Sequence, residues 1–248
     1  MSQTLLIFDV SSRFGFFLNN LTTTSGLTHN VIPRSTVEGL VGAILGLQSN
    51  EYPEKLEGSN IAVQILSPIR KHTVEQNFIH ETWLQAAGQK AHPPTESVDY
   101  HWQASQELLV SPKYRIYFSN PEVDSDLELF LENSKARFIP YLGKSSMIAS
   151  VKFIGKYRYE KNPSIQYVDV SSIIPFFDEY PKIKIVEGIR LSTEDGMSIH
   201  MTKDRASIGT YSAIYSENLN EISVKDAEIY KVTMNGKNPN IVFLPIRV

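Results

Sequence analysis

The stretch from Leu21 to Leu47, LTTTSGLTHNVIPRSTVEGLVGAILGL, limits the possible folds more than any other. From Ser35 onward it is a helix pattern almost without charge. Val37, Leu40, Val41, Ile44 and Leu45 follow the i, i+3, i+4, i+7, i+8 stripe of a core-facing helix. A second stripe, Gly39, Gly42, Ala43 and Gly46, holds only small residues. An interior glycine costs ~1 kcal/mol against alanine. Gly39 and Gly42 are therefore expected where another segment packs close, and Gly46 suits a C-terminal cap. Pro33 just upstream, Ser35 as cap and Glu38 at capping-box spacing place the helix start. Free N–H groups at that end favour an anion, and Arg34, Ser35, Thr22, Thr23 and Thr24 are close in sequence. The plainer alternative is an ordinary capped core helix behind a polar loop.

The patterns around this helix have a definite order. Leu5 to Phe8 opens a strand that resumes at Phe14 to Leu18 after a bend at Ser11-Ser12. Ile61 to Ile65 alternates as a half-buried strand and reads on through Pro68 and the cations Arg70, Lys71 and His72 to Phe78. Residues 80–106 hold Trp83, Tyr100 and Trp102 without sustained periodicity. A loop of that length is functional or disordered. Its aromatics are suited to stacking on bases of single-stranded nucleic acid or, alternatively, to pinning the loop to the body. In the strand KYRIYF, Lys113, Arg115 and Tyr117 share one face, opposite Tyr114, Ile116 and Phe118. Asp126 to Lys135 reads as a second helix with Ser125 and Glu128 at capping-box spacing. The strand Met147 to Tyr159 puts Val151, Phe153, Tyr157 and Tyr159 on one face and Lys152, Lys156 and Arg158 on the other.

This β-α-β-β-α-β order is the split βαβ unit of ferredoxin-like and RNA-recognition-motif-like folds. The expected class is α+β. A ferredoxin-like domain spans residues 1–160, with a long insertion at 80–106, and a smaller β-rich domain spans 161–248, with hairpin turns at Glu194-Asp195-Gly196 and Asn235-Gly236. The third strand lacks the RNP1 octamer, so base stacking on the central sheet face is not expected.

Composition narrows the chemistry. The 248-residue chain has 24 Lys and Arg against 27 Asp and Glu, so a polyanion site must be local and shaped. It has no cysteine, which excludes disulfides and thiolate chemistry, and its six histidines lack metal-ligand spacing. Neither a metal nor a cofactor is expected. Without a membrane-length apolar run or a signal peptide, a cytoplasmic location is the expectation.

Several stretches together carry a resemblance. Phe8-Asp9-Val10-Ser11, Thr22-Thr23-Thr24-Ser25-Gly26-Leu27-Thr28, Pro33-Arg34-Ser35-Thr36 and Gly39 to Gly46 lead it. Pro68-Ile69-Arg70-Lys71, Val110 to Tyr117 and Tyr141-Leu142-Gly143-Lys144-Ser145-Ser146 follow in order. Over residues 5–155 the chain resembles the fifth CRISPR-associated protein family, and within it the type I-B branch. It departs at Phe17 to Leu21, where members often carry an Arg and then Lys-Pro-Tyr, and at Lys144, where Arg is commoner.

The resemblance implies a non-catalytic RAMP-superfamily subunit of the Cascade surveillance complex that binds the 5′ handle of the CRISPR RNA. It implies a backbone subunit and the large subunit as neighbours, with target DNA met only through the complex. The implied contacts are Thr22, Thr23, Thr24, Ser25, Arg34, Ser35, Arg70, Lys71, His72, Lys113, Arg115, Gly143, Lys144 and Ser145, and the resemblance makes the insertion at 80–106 the family's thumb, with Trp83, Tyr100 and Trp102 on it. A rival comes from the type I-C branch, whose members cut repeat RNA without metal. Lys71 beside His72 suggests it, although adjacent strand residues point to opposite faces.

Overall fold

The computed structural model describes residues 3–19, 26–79, 101–163 and 166–246. The fold is mixed α+β, mostly strands with few helices. The first part runs β1 Gln3–Ser12, β2 Phe14–Gly15, α1 Arg34–Leu45, α2 Tyr52–Leu56, β3 Asn60–Ile65, β4 Lys71–Ile79, β5 His101–Val110, β6 Lys113–Ser119, α3 Asp124–Glu132 and β7 Ala149–Lys161. It continues with β8 Val168–Val170, β9 Ile174–Phe176, β10 Lys182–Ile183, β11 Leu191–Met201, β12 Ser207–Ser216, β13 Ile222–Lys225, β14 Ile229–Thr233 and β15 Asn240–Val242. Among the described residues no helix is long and apolar enough to cross a membrane.

An antiparallel six-stranded sheet in the order β15-β14-β7-β1-β6-β3 is the centre. The alternation of β1 serves two cores. Leu6, Phe8 and Val10 face α1 and α3 and pack with Val37, Leu40, Val41, Ile44, Leu127 and Leu131. Leu5 and Ile7 face the other way, with Ala62, Tyr117, Tyr159, Val232 and Ile241. Beyond β15, Leu244 N–H donates to Ile61 C=O at 2.7 Å, tying the far end of the chain to edge strand β3 and curling the sheet into a near-barrel. β14 and β15, from beyond residue 160, thus extend the sheet that β1 begins.

Four local expectations are corrected. Ile61 to Phe78 is not one strand: β3 joins the six-stranded sheet, the chain breaks at Pro68, and β4 pairs with β5 in a separate sheet ordered β2-β5-β4. The insertion therefore stands on a two-stranded ribbon, and its return arm is strand from His101 onward. In β7 a bulge at Gly155, with φ of 149°, shifts the register on β1 between Ile7 and Phe8. A one-residue shift exchanges faces, so Phe153 packs beneath the helices while Tyr157 and Tyr159 enter the opposite core. Glu194-Asp195-Gly196 is a bulge inside β11, not a turn; the hairpin closes instead at residues 202–206.

The fourth correction concerns the helix starts. At α1 the N-cap is Pro33, without a side-chain cap, because Glu38 is drawn into a tertiary network. At α3 the cap residue is Val123, and Glu128 pairs with Lys156 at 2.6 Å instead of capping. At its other end α1 does stop at Gly46, whose φ of 81° is the left-handed cap conformation.

Candidate nucleic-acid interface

α1 has two flanks of opposite character. On one, Arg34 and Glu38 are fully buried, with 0% exposure each. The Arg34 guanidinium donates to the carbonyls of Ser59 at 2.7 Å and Glu57 at 2.9 Å, and its Nε lies 3.1 Å from the Glu38 carboxylate. The other Glu38 oxygen meets His200 Nδ1 of β11 at 2.8 Å. Desolvation raises the Glu38 pKa and lowers that of Arg34, partly offset by their attraction. A second buried pair, His29 with Glu194 at 2.8 Å, ties the loop before α1 to the same strand. This flank is welded to β11 and the α2–β3 turn. Arg34, expected to hold an external phosphate, is a structural residue enclosed by these partners.

The other flank opens into a groove of about 630 Å³. Ser35, Thr36, Gly39 and Ala43 form its helical side. Opposite stand Tyr141, Gly143 and Lys144 of the turn before β7, with Phe16, Tyr52 and Phe138 as further aromatic lining. Ser198, Met201 and Arg205 of the β11–β12 hairpin complete it. Among the described residues no Asp or Glu lines this groove, in a chain whose formal net charge is −3. Such a volume is typical of small-ligand sites.

The turn at residues 142–147 is held rigidly. Phe16 N–H donates to Leu142 C=O at 3.1 Å, and Gly143 adopts φ of 91°. A Cβ at Gly143 would lie 1.6 Å from the Phe16 carbonyl oxygen, so only glycine fits. Lys144 Nζ then donates to Gln106 Oε1 at 2.8 Å and sits 4.7 Å from the Phe16 ring centroid. Partial burial lowers its pKa.

The other candidates separate according to strand alternation. On the ribbon, Arg70 is backbone-paired to Val110, and His72 lies opposite Leu108, two residues from Gln106. Arg70, His72 and Lys144 therefore share one face, and Arg70 and His72 are exposed. Lys71 is on the reverse face, where its Nζ donates to Glu107 at 2.9 Å and to the Thr28 carbonyl at 2.9 Å. Arg115 is spent on a bidentate pair with Asp9, at 2.7 and 3.1 Å, on the sheet face away from α1. The Asp9 hydrogen bond raises the Arg115 pKa. Lys113 is exposed on that same remote face.

One groove lined by Arg70, Lys71, Lys113, Arg115 and Lys144 is thus not what forms. Ser35, Gly143 and Lys144 converge, with exposed Ser145 beside them. Thr22, Thr23, Thr24, Ser25, Trp83 and Tyr100 lie outside the described residues; Trp102 falls in β5, opposite Phe78. Sequence reasoning missed Tyr52, Met201 and Arg205. A turn assigned to residues 194–196 moved the hairpin tip away from the helix and hid the last two.

Two solved structures share this architecture along most of their length. A chain of a CRISPR RNA-guided surveillance complex matches with a TM-score of 0.54 at 11% identity, over 88% of this chain and 91% of that one. A CRISPR protein from Archaeoglobus fulgidus matches with a TM-score of 0.55 at 12% identity, over 97% of this chain and 100% of that one. The fold is that of CRISPR-associated proteins. No family model and no curated protein sequence matches the chain.

Proposed function

We propose that this chain is a non-catalytic subunit of a type I CRISPR surveillance complex, related to the type I-B branch of the fifth CRISPR-associated family, and that it binds the 5′ handle of the CRISPR RNA. The observation that carries the proposal is the groove beside α1: aromatic walls, hydroxyls, Lys144 and, among the described residues, no carboxylate, in an otherwise mildly acidic protein. Single-stranded RNA is bound by this combination of cations for phosphates and ring faces for bases. Fold similarity to a surveillance-complex chain supports the setting. The strand order β7-β1-β6-β3 with α1 and α3 on one face supports a ferredoxin-like N-terminal unit.

In this scheme Ser35, Gly143, Lys144 and Ser145 contact the handle, and His72 and Arg70 continue the surface along the ribbon. Arg34 and Arg115 leave the contact set and become structural. Thr22 to Ser25 remain proposed contacts, and the thumb with Trp83, Tyr100 and Trp102 reaches a neighbouring backbone subunit. A few phosphate contacts give modest affinity, so assembly with the backbone and large subunits supplies the remainder.

The rival, a metal-independent endoribonuclease, draws less support. Lys71 and His72 point to opposite ribbon faces, and Lys71 is held by Glu107. Two experiments test the choice. Lys144→Ala is expected to make co-purification of guide RNA with the complex fail at lower salt than wild type; unchanged salt resistance contradicts handle binding in the groove. Purified chain incubated with repeat RNA is expected to leave it intact, and a site-specific cut without metal would establish the rival.

A further inference from the structure

The C-terminal segment carries no motif that assigns it a role, yet its β11–β12 hairpin forms one wall of the groove. The hairpin tip has an unusual backbone. Arg205 N–H donates to Thr202 C=O at 2.9 Å and Thr202 N–H to Ala206 C=O at 2.8 Å, enclosing the three-residue loop Lys203-Asp204-Arg205. Such loops are a type I turn followed by a residue in the left-handed region, a position that glycine fills best. Here it is Arg205, with φ of 62°. A long cationic side chain is thus kept at a conformational cost where its absence would help the hairpin.

The side chain also has a place to act. Arg205 is exposed, lines the groove, and its charge acts on Tyr52, opposing the upward shift that burial imposes on that phenol. Lys144 reaches the same groove from the turn before β7, and Met201 and Ser198 lie farther down the hairpin. The hairpin is anchored to α1 by the His200–Glu38 contact and by Tyr211, whose hydroxyl accepts the Arg34 N–H at 3.3 Å. Neighbouring Asp204 does not line the groove.

We propose that Arg205 is an RNA contact and that the β11–β12 hairpin is the second wall of the binding groove, holding single-stranded RNA against α1 with a phosphate gripped by Arg205 and a base beside Tyr52. This rests on the groove being the RNA site and gives the C-terminal segment a share in it. Two segments distant in sequence then each deliver a cation to one cavity.

The test uses the purified full chain and a short fluorescein-labelled, mixed-sequence single-stranded RNA, titrated at several salt concentrations. Arg205→Gly suits the backbone, so the thermal transition should stay or rise. Binding should nevertheless weaken by at least ~3-fold, and the slope of log affinity against log salt should fall by about 1, as for one lost phosphate contact. Arg205→Lys should retain the slope. If Arg205→Gly binds as wild type does while Lys144→Ala is weakened, the hairpin contact is wrong and the groove stands. If neither substitution changes binding, or the wild type does not bind RNA, the groove itself is wrong and both proposals fall.

Discussion

The two flanks of α1 differ in what they do with charge. The welded flank encloses Arg34, Glu38 and His200 and shows none of the first two to solvent. The open flank carries the uncharged Ser35, Thr36, Gly39, Leu40 and Ala43 from the helix and takes its cations from other segments, Lys144 and Arg205. A cation within a motif is therefore no guide to a binding role by itself. Arg34 stands at the helix end where an anion would be sought, but it is architecture. The flank that looked like packing surface, the small-residue stripe, in part lines the groove. Gly42 is pressed against Tyr52 and Gly39 faces the groove.

The largest expected effect comes from the turn that supports the open flank. Gly143→Ala puts a methyl group 1.6 Å from the Phe16 carbonyl at φ of 91°. It should cost more than ~5 kcal/mol, read as a lost or strongly lowered thermal transition; a near-wild-type melting curve would mean that the turn is free to move away from Phe16.

Next in size is the welded flank. Arg34→Met leaves Glu38 buried beside His200 without its guanidinium, for a loss of about 3–5 kcal/mol. Adding Glu38→Gln should recover part of that loss, because both charges of the pair are disfavoured by burial. Denaturant unfolding of the single and double variants measures the difference. Lys144→Ala, from the open flank, should shift stability by less than about 1 kcal/mol while weakening RNA binding.

A smaller effect separates the two glycines by sign. Gly39→Ala meets nothing closer than the Tyr52 hydroxyl at 3.8 Å and should stabilise the helix by ~1 kcal/mol. Gly42→Ala would press on the Tyr52 Cβ at 2.9 Å and should destabilise. Melting temperatures that move the same way for both would mean that Tyr52 yields to a methyl group at position 42.

A pH effect reports on the opposite core. Tyr117, fully buried inside the near-barrel, has its pKa pushed up from 10.0 to about 12 by burial. Its folded pKa lies above the unfolded value. The stability it contributes is therefore complete below pH ~10 and is lost as pH rises toward ~12. Tyr117→Phe should flatten that part of the alkaline stability curve, and an unchanged slope would show that other groups govern it.

Legibility varied with the range of the interactions involved. The body of α1 and its Gly46 stop followed from local spacing, because stripe and cap are properties of neighbouring residues. Its start did not. Ser35 and Glu38 have capping-box spacing, but Glu38 is claimed by His200, which is remote in sequence. The face assignment in β7 failed at one residue, Gly155, where a bulge invisible to alternation exchanges the two sides. At the site, Gly143 and Lys144 were visible as part of a motif. Arg205 was not, since it depends on where a hairpin turns, and Glu194-Asp195-Gly196 offered a stronger turn signal than the true tip.

The central claim is that RNA lies in the groove on the open flank of α1. Photocrosslinking settles this most directly, with 4-thiouridine in the guide-RNA handle of the assembled complex and the attachment sites read by mass spectrometry. The account predicts crosslinks to Tyr52, Phe138, Tyr141 or Met201. Crosslinks confined to the remote sheet face around Lys113 and Lys152, with none in the groove, would contradict it.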